Sequence, residues 1–170
     1  MNKKNYTSIN FFINNLYSFM QYKNINTLDE LANYLHLNSN TVKSWFYRYR
    51  TPTLTAIDIV ANNINVNTHD LIGRDILFNN IIFHPKIKNN SSEMFCKNLR
   101  KFLNSHDITC ASQFYYFFEG NFSEHTYYSY FKRTNSKIPS IESIELLSSY
   151  FKIAPYKLIE RIWYYVKQYF

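Results

Sequence analysis

Residues 27–46 read Thr27-Leu-Asp-Glu-Leu-Ala-Asn-Tyr-Leu-His-Leu-Asn-Ser-Asn-Thr-Val-Lys-Ser-Trp-Phe46. Thr27 and Glu30 stand at capping-box spacing, where a threonine hydroxyl and a glutamate carboxylate each satisfy a backbone N–H that the first helical turn leaves without a partner. A helix is therefore predicted from Thr27 to about Leu35. His36 to Asn38 forms a short turn, and Asn38 is placed to cap a third helix running to about Tyr47, with Val42 and Trp45 as its buried stripe.

Upstream, Ile9, Phe12, Ile13, Leu16, Tyr17 and Met20 recur at three- and four-residue steps and mark an amphipathic first helix from about Ser8 to Tyr22. Downstream, a loop carrying Arg48, Arg50 and Pro52 leads to a fourth helix from Leu54 to Asn63, and Thr68 opens a short fifth one ending near Gly73. The pattern then fades. Residues 76–83 read equally as one more helix or as an extended connector, and residues 84–92 have the proline and polar content of a linker.

The same apolar skeleton then returns. Leu16, Ile25, Leu31, Leu35, Leu37, Trp45, Pro52, Leu54, Ile57, Val60, Ile64, Val66, Leu71 and Ile72 recur as Leu99, Ile108, Phe114, Phe118, Phe122, Tyr130, Pro139, Ile141, Ile144, Leu147, Phe151, Ile153, Leu158 and Ile159. The offset is 83 residues at first, then 85, then 87, so two small insertions fall between helices. A repeat of this length means two copies of one small unit. The chain is thus expected to be all-α, with one unit over residues 1–73, a linker over 74–92, a second unit over 93–160 and an apolar C-terminal helix over 161–170.

Composition bounds the function. The chain has 170 residues, 46% of them hydrophobic, and no apolar run of about 18 residues, so no membrane span is expected. Asn10, Asn14 and Asn15 break the run that a signal peptide would need, and a cytoplasmic location is the expectation. Cys96 and Cys110 have no metal-ligand or disulfide spacing and read as buried small hydrophobes. His36, His69, His84, His106 and His125 are scattered, and no nucleophile, paired-carboxylate or metal constellation stands at a useful spacing. With only 2 glycines, far apart, no phosphate-binding glycine loop is available. An enzyme, a metal site and a cofactor are therefore not expected. The net charge of +7 suits a polyanionic partner, although an AT-rich coding bias toward Asn, Ile, Lys, Tyr and Phe accounts for much of this composition.

Leu31, Ala32, Leu37, Thr41, Val42, Trp45 and Pro52, followed by Leu54, Ile57, Val60, Ala61, Ile64, Val66 and Leu71, are the residues through which the chain resembles the lambda-repressor-like helix-turn-helix family, the Cro/cI or xenobiotic-response-element type. That family reads Leu-Ala, three residues, Gly, an aliphatic, Ser, then Thr-Val-Ser-x-Trp-Glu, with Pro after the loop. This chain departs from it at Leu28, where Gln is usual and touches a DNA phosphate, at His36 and Arg48, where Gly is usual, and at Phe46, where Glu is usual. The resemblance implies two tandem lambda-repressor-like helix-turn-helix domains, the second degenerate, plus the C-terminal helix.

It also implies that the third helix lies in the DNA major groove, with Asn38, Ser39, Asn40, Lys43 and Ser44 at base edges and Arg48 and Arg50 on phosphates. Asn pairs with adenine, Lys reaches guanine, and Ser bonds several bases. In the second copy Glu124, His125 and Tyr128 replace Ser39, Asn40 and Lys43, so His125, Tyr128, Lys132, Arg133 and Lys137 are candidates for contact with either DNA or a protein partner.

The expected function is a sequence-specific, double-stranded-DNA-binding transcriptional regulator of bacterial or phage type. The alternative is a protein-binding inhibitor, for example a phage-encoded inhibitor of a host nuclease or defence complex, on the same scaffold. Ile162, Trp163, Val166, Tyr169 and Phe170 offer an apolar surface that either seals the core or forms a homodimer interface, and the homodimer is favoured. Tandem copies that imitate such a dimer within one chain are the other arrangement.

Overall fold

A computed structural model describes residues 7–80, 90–131 and 137–161. Several of its α-helices begin at local side-chain caps, while those that start at Ser8 and Ser91 begin at carboxylates from the opposite half of the chain. The first half holds α1 (Ser8–Lys23), α2 (Leu28–Tyr34), α3 (Ser39–Phe46), α4 (Leu54–Asn63) and α5 (Thr68–Gly73). The second holds α6 (Ser91–Ser105), α7 (Ala111–Phe117), α8 (Glu124–Phe131) and α9 (Ile141–Tyr150), followed by a 3₁₀ turn at Pro155–Leu158. No strand longer than a single bridge occurs among the described residues, and the chain is all-α.

Side chains close the helix starts. The hydroxyls of Thr27, Thr53 and Ser140 accept from the N–H groups of Glu30, Ala56 and Ser143, and the Asn38 carbonyl accepts from Asn40 N–H at 2.9 Å. The capping box at Thr27 is shifted by one residue, because the Glu30 carboxylate accepts from Asn26 N–H at 2.8 Å rather than from Thr27. At the matching place in the second half Cys110 and Gln113 do this work. Cys110 is therefore exposed at the cap of α7 and not the buried hydrophobe expected, whereas Cys96 is half-buried.

Helix ends repeat one motif. Asn24, His36, Arg48 and Asn65 in the first half, and Asp107, Glu119 and Lys152 in the second, have φ between 51° and 60°. After each comes a six-to-one backbone bond, as from Leu37 N–H to Ala32 O at 2.9 Å and from Ile108 N–H to Leu103 O at 2.9 Å. This is the Schellman ending, which reverses the chain and satisfies two orphan carbonyls. The left-handed positions lie in register with the repeat. Gly120 (φ 77°) sits in the longer turn between α7 and α8, where two inserted residues follow Glu119.

The repeated apolar positions are the core. Leu16, Leu31, Leu35, Trp45, Leu54 and Ile57 are buried, as are Leu99, Phe114, Phe118, Tyr130, Ile141 and Ile144. Two buried amides tie the first helix of each half to its last turn. Asn15 donates to Leu71 O (3.0 Å) and Arg74 O (2.8 Å), and Asn98 to Leu158 O (3.3 Å) and Glu160 O (2.9 Å).

Some boundaries differ from the sequence reading. The described part of the ambiguous stretch after Gly73 holds a 3₁₀ turn at Phe78–Asn80, in which Phe78 is buried against Phe19 and Tyr22, and residues 81–83 lie outside the described residues. The second half starts at Ser91, two residues before Glu93, because the helix is capped there from the other half. The C-terminal candidates Ile162, Trp163, Val166, Tyr169 and Phe170 lie outside the described residues, as do Lys132 and Arg133.

The halves meet through residues that are equivalent in the repeat. Thr53 and Ser140 form an antiparallel bridge, with Leu54 N–H donating to Pro139 O at 3.0 Å and Ile141 N–H to Pro52 O at 3.2 Å. Helix starts are exchanged in the same way. The Glu145 carboxylate accepts from Ser8 N–H at 2.5 Å, and the Asp58 carboxylate accepts from Ser91 N–H at 2.9 Å and from the Ser91 hydroxyl at 2.6 Å. The contacts made by main-chain N–H groups map onto each other when the halves are exchanged.

Candidate nucleic-acid interface

The pattern of α3 sends Val42 and Trp45 inward, where Trp45 packs edge-on to Phe12 with ring centres 5.6 Å apart. The opposite face is open. Asn38 and Asn40 are exposed, and Ser39, Lys43 and Ser44 are partly so. Just beyond α3, Tyr47, Arg48, Tyr49 and Arg50 are all exposed, and Tyr49 is 80% exposed. Aromatic rings alternating with guanidinium groups make a surface suited to an anionic, planar partner.

The side chains differ in availability. Asn38 is committed to capping, since its carbonyl holds Asn40 N–H. The Ser44 hydroxyl donates back to Thr41 O at 2.7 Å. Arg48 donates to the Asn10 carbonyl at 2.7 Å, which swings it toward α1. Asn40 and Arg50 project from the exposed face.

Lys43 is held by a residue that the sequence reading did not single out. The Asp29 carboxylate, in the first turn of α2, lies 2.8 Å from Lys43 Nζ and also accepts from the Ser39 hydroxyl. Together the Lys43 ammonium and the Ser39 hydroxyl hold the Asp29 carboxyl below its ordinary pKa. In the chain Asp29 is a first-turn acid of α2, a common place for a carboxylate because it faces the positive end of the helix dipole. Its position beside α3 depends on how α2 crosses that helix, which spacing does not reveal. The face thus carries one intramolecular ion pair among hydrogen-bonding groups.

The corresponding surface of the second half is unlike it. Glu124, His125 and Tyr128 are exposed along α8, with Tyr128 58% exposed, and Tyr115 and Tyr116 of α7 are exposed nearby in sequence. Lys137, also exposed, donates its backbone N–H to Ser129 O at 2.8 Å. A cleft of about 330 Å³ between α6 and α8 is lined by Arg100, Leu103, Asn104, Ile108, Thr109, Tyr127 and Phe131. At its mouth the Arg100 guanidinium lies 4.8 Å above the Phe131 ring. In the first half the equivalent pair, Tyr17 and Phe46, packs edge-to-face at 4.8 Å.

Among the described residues no group of three or more His, Cys, Asp or Glu side chains is placed to hold a metal ion, and no helix is long and apolar enough to cross a membrane. Comparison of the chain with protein-family models, with curated proteins and with solved structures finds no match.

Proposed function

We propose that the chain is a sequence-specific duplex-DNA-binding regulator of bacterial or phage type, with α3 as its recognition helix. The observation that carries this reading is the division of α3 into a buried stripe and an exposed polar face, leading directly into the exposed Tyr47-Arg48-Tyr49-Arg50 loop. It joins the resemblance to the lambda-repressor-like helix-turn-helix family over Leu31 to Leu71. Asn40 pairs with adenine in the major groove, Lys43 turns from Asp29 to a base edge, and Arg48 and Arg50 hold phosphates. An exposed ion pair is a weak restraint, so a phosphate-rich groove competes for Lys43.

Binding to the DNA upstream of the protein's own gene at about 150 mM salt, where non-specific phosphate contacts are weakened, with random DNA left alone, tests the reading. Asn40→Ala and Lys43→Ala should each cost about 1 to 3 kcal/mol and relax base preference. Unchanged affinity in both variants would refute the α3 assignment. A second reading, a protein-binding inhibitor on the same scaffold, is favoured by the Asp29 and Glu124 carboxylates on the two faces. Failure to bind any duplex would move the reading there.

A further inference from the structure

The halves are related by an approximate two-fold axis, and the observations for it are independent of one another. The Thr53–Ser140 bridge pairs equivalent residues through reciprocal main-chain bonds at 3.0 and 3.2 Å. Asp58 caps Ser91 while Glu145 caps Ser8, and both the acceptors and the capped residues are equivalent in the repeat. Gly73 packs against the Tyr156 ring, where a β-carbon would lie 2.8 Å from a ring carbon, so the closing segments of both halves are in direct contact.

This axis passes between Thr53 and Ser140, which follow α3 and α8 in the chain. Phe46 ends α3 seven residues before Thr53, and Phe131 ends α8 nine residues before Ser140. The axis therefore relates α3 to α8 as equivalent elements, each a short stretch of chain away from it. Such an arrangement is what a symmetric dimer achieves with two chains. Here one chain contains both halves, and their reading faces are chemically different.

We propose that a single copy of this chain reads a non-palindromic duplex site made of two unlike half-sites, α3 on one and α8 on the other. The proposal rests on the DNA-binding reading above. Asn40 and Lys43 suit adenine and guanine edges. Glu124 accepts from a cytosine amine, His125 offers a ring nitrogen, and Tyr128 presents a phenol and an apolar ring edge suited to a thymine methyl. A palindrome would place identical bases before these two unlike faces, and one of them would be left with unpaired polar groups. Lys137, whose main chain is tied to Ser129 of α8, supplies a cation for the phosphate backbone.

The test uses the full chain. Duplexes are enriched from a random-sequence pool at about 150 mM salt, the chains per enriched duplex are counted by analytical ultracentrifugation, and the selection is repeated with Lys43→Ala and with Tyr128→Ala. Both side chains are solvent-accessible, and circular dichroism checks that each variant keeps the fold. The expected result is one chain per duplex and two dissimilar blocks with centres about one helical turn apart. Lys43→Ala should relax preference in one block only and Tyr128→Ala in the other, each by about 5- to 150-fold. A palindromic site with two chains overturns the proposal and leaves the DNA-binding reading standing, as does a single block indifferent to Tyr128→Ala. A pool in which nothing is enriched overturns the DNA-binding reading itself, and this proposal with it.

Discussion

Asp29 sets the chemistry of the α3 face because its carboxylate is shared between Lys43 and Ser39. Duplex binding must dispossess it. Asp29→Asn removes an anion from a surface proposed to meet phosphates and frees the Lys43 ammonium. Duplex affinity should therefore rise, and the log–log salt slope should steepen by about one. Equal affinities and slopes for the two proteins would place α3 away from DNA. Tyr130 poses the opposite problem inside the core. Its ring packs on Phe95 with centres 5.2 Å apart, but its buried hydroxyl makes no hydrogen bond of good geometry among the described residues, and burial pushes the phenol above its ordinary pKa although the Ser143 hydroxyl lies close by. Trp45, which holds this place in the first half, has no such oxygen there. Tyr130→Phe should stabilise the chain by about 1 kcal/mol, read as a higher Tm. A lower Tm would mean that the hydroxyl is satisfied.

The helix endings show how a chain with 2 glycines makes turns at which the helix-turn-helix family that its sequence resembles carries glycine. His36 and Arg48, where that family carries glycine, both adopt the left-handed conformation at φ 52° and 60°. The backbone demand is met without the residue that meets it most easily, at a cost of about 1 kcal/mol each. His36→Gly should raise stability by about 0.5 to 1 kcal/mol and leave DNA binding unchanged. Arg48→Gly should relieve the same strain but weaken binding to all sequences alike, because it deletes a proposed phosphate contact. Urea unfolding and duplex titration on both variants separate the two effects. Equal binding by Arg48→Gly would remove that arginine from the interface.

Across the whole molecule, the two halves stabilise each other's helix starts, and one of the groups involved responds to pH. Burial pushes the Glu145 carboxyl above the usual glutamate value and neighbouring Glu142 adds to this, while the N–H groups of Ser8 and Ile9 and the charge of Arg48 oppose it. A group with a raised folded pKa binds more protons folded than unfolded. Its contribution is therefore complete below the unfolded value and is lost as pH rises through the folded one. Glu145→Gln keeps an oxygen acceptor for Ser8 but cannot titrate. The stability of the native chain relative to this variant should fall as urea melts are moved from pH 4 toward pH 7. A difference that stays constant with pH would show that Glu145 is not perturbed by folding.

Much of this fold was legible because it is local. The Asn38 cap, the inward Val42 and Trp45, the limits of α4 and α5, and the doubled apolar skeleton follow from three- and four-residue spacing and from short polar side chains at helix starts. These are properties that a chain carries into any context. By itself the sequence determined an all-α chain with a repeated core and an α3 whose polar side faces outward. Tertiary structure alone decided that Asp29 reaches Lys43 and that Asp58 and Glu145 start helices in the opposite half. It also decided that Thr53 meets Ser140, although they stand 87 residues apart. That bridge is made by main-chain atoms, which every residue possesses. No side-chain pattern announces it, and it exists only because packing brings the two loops together.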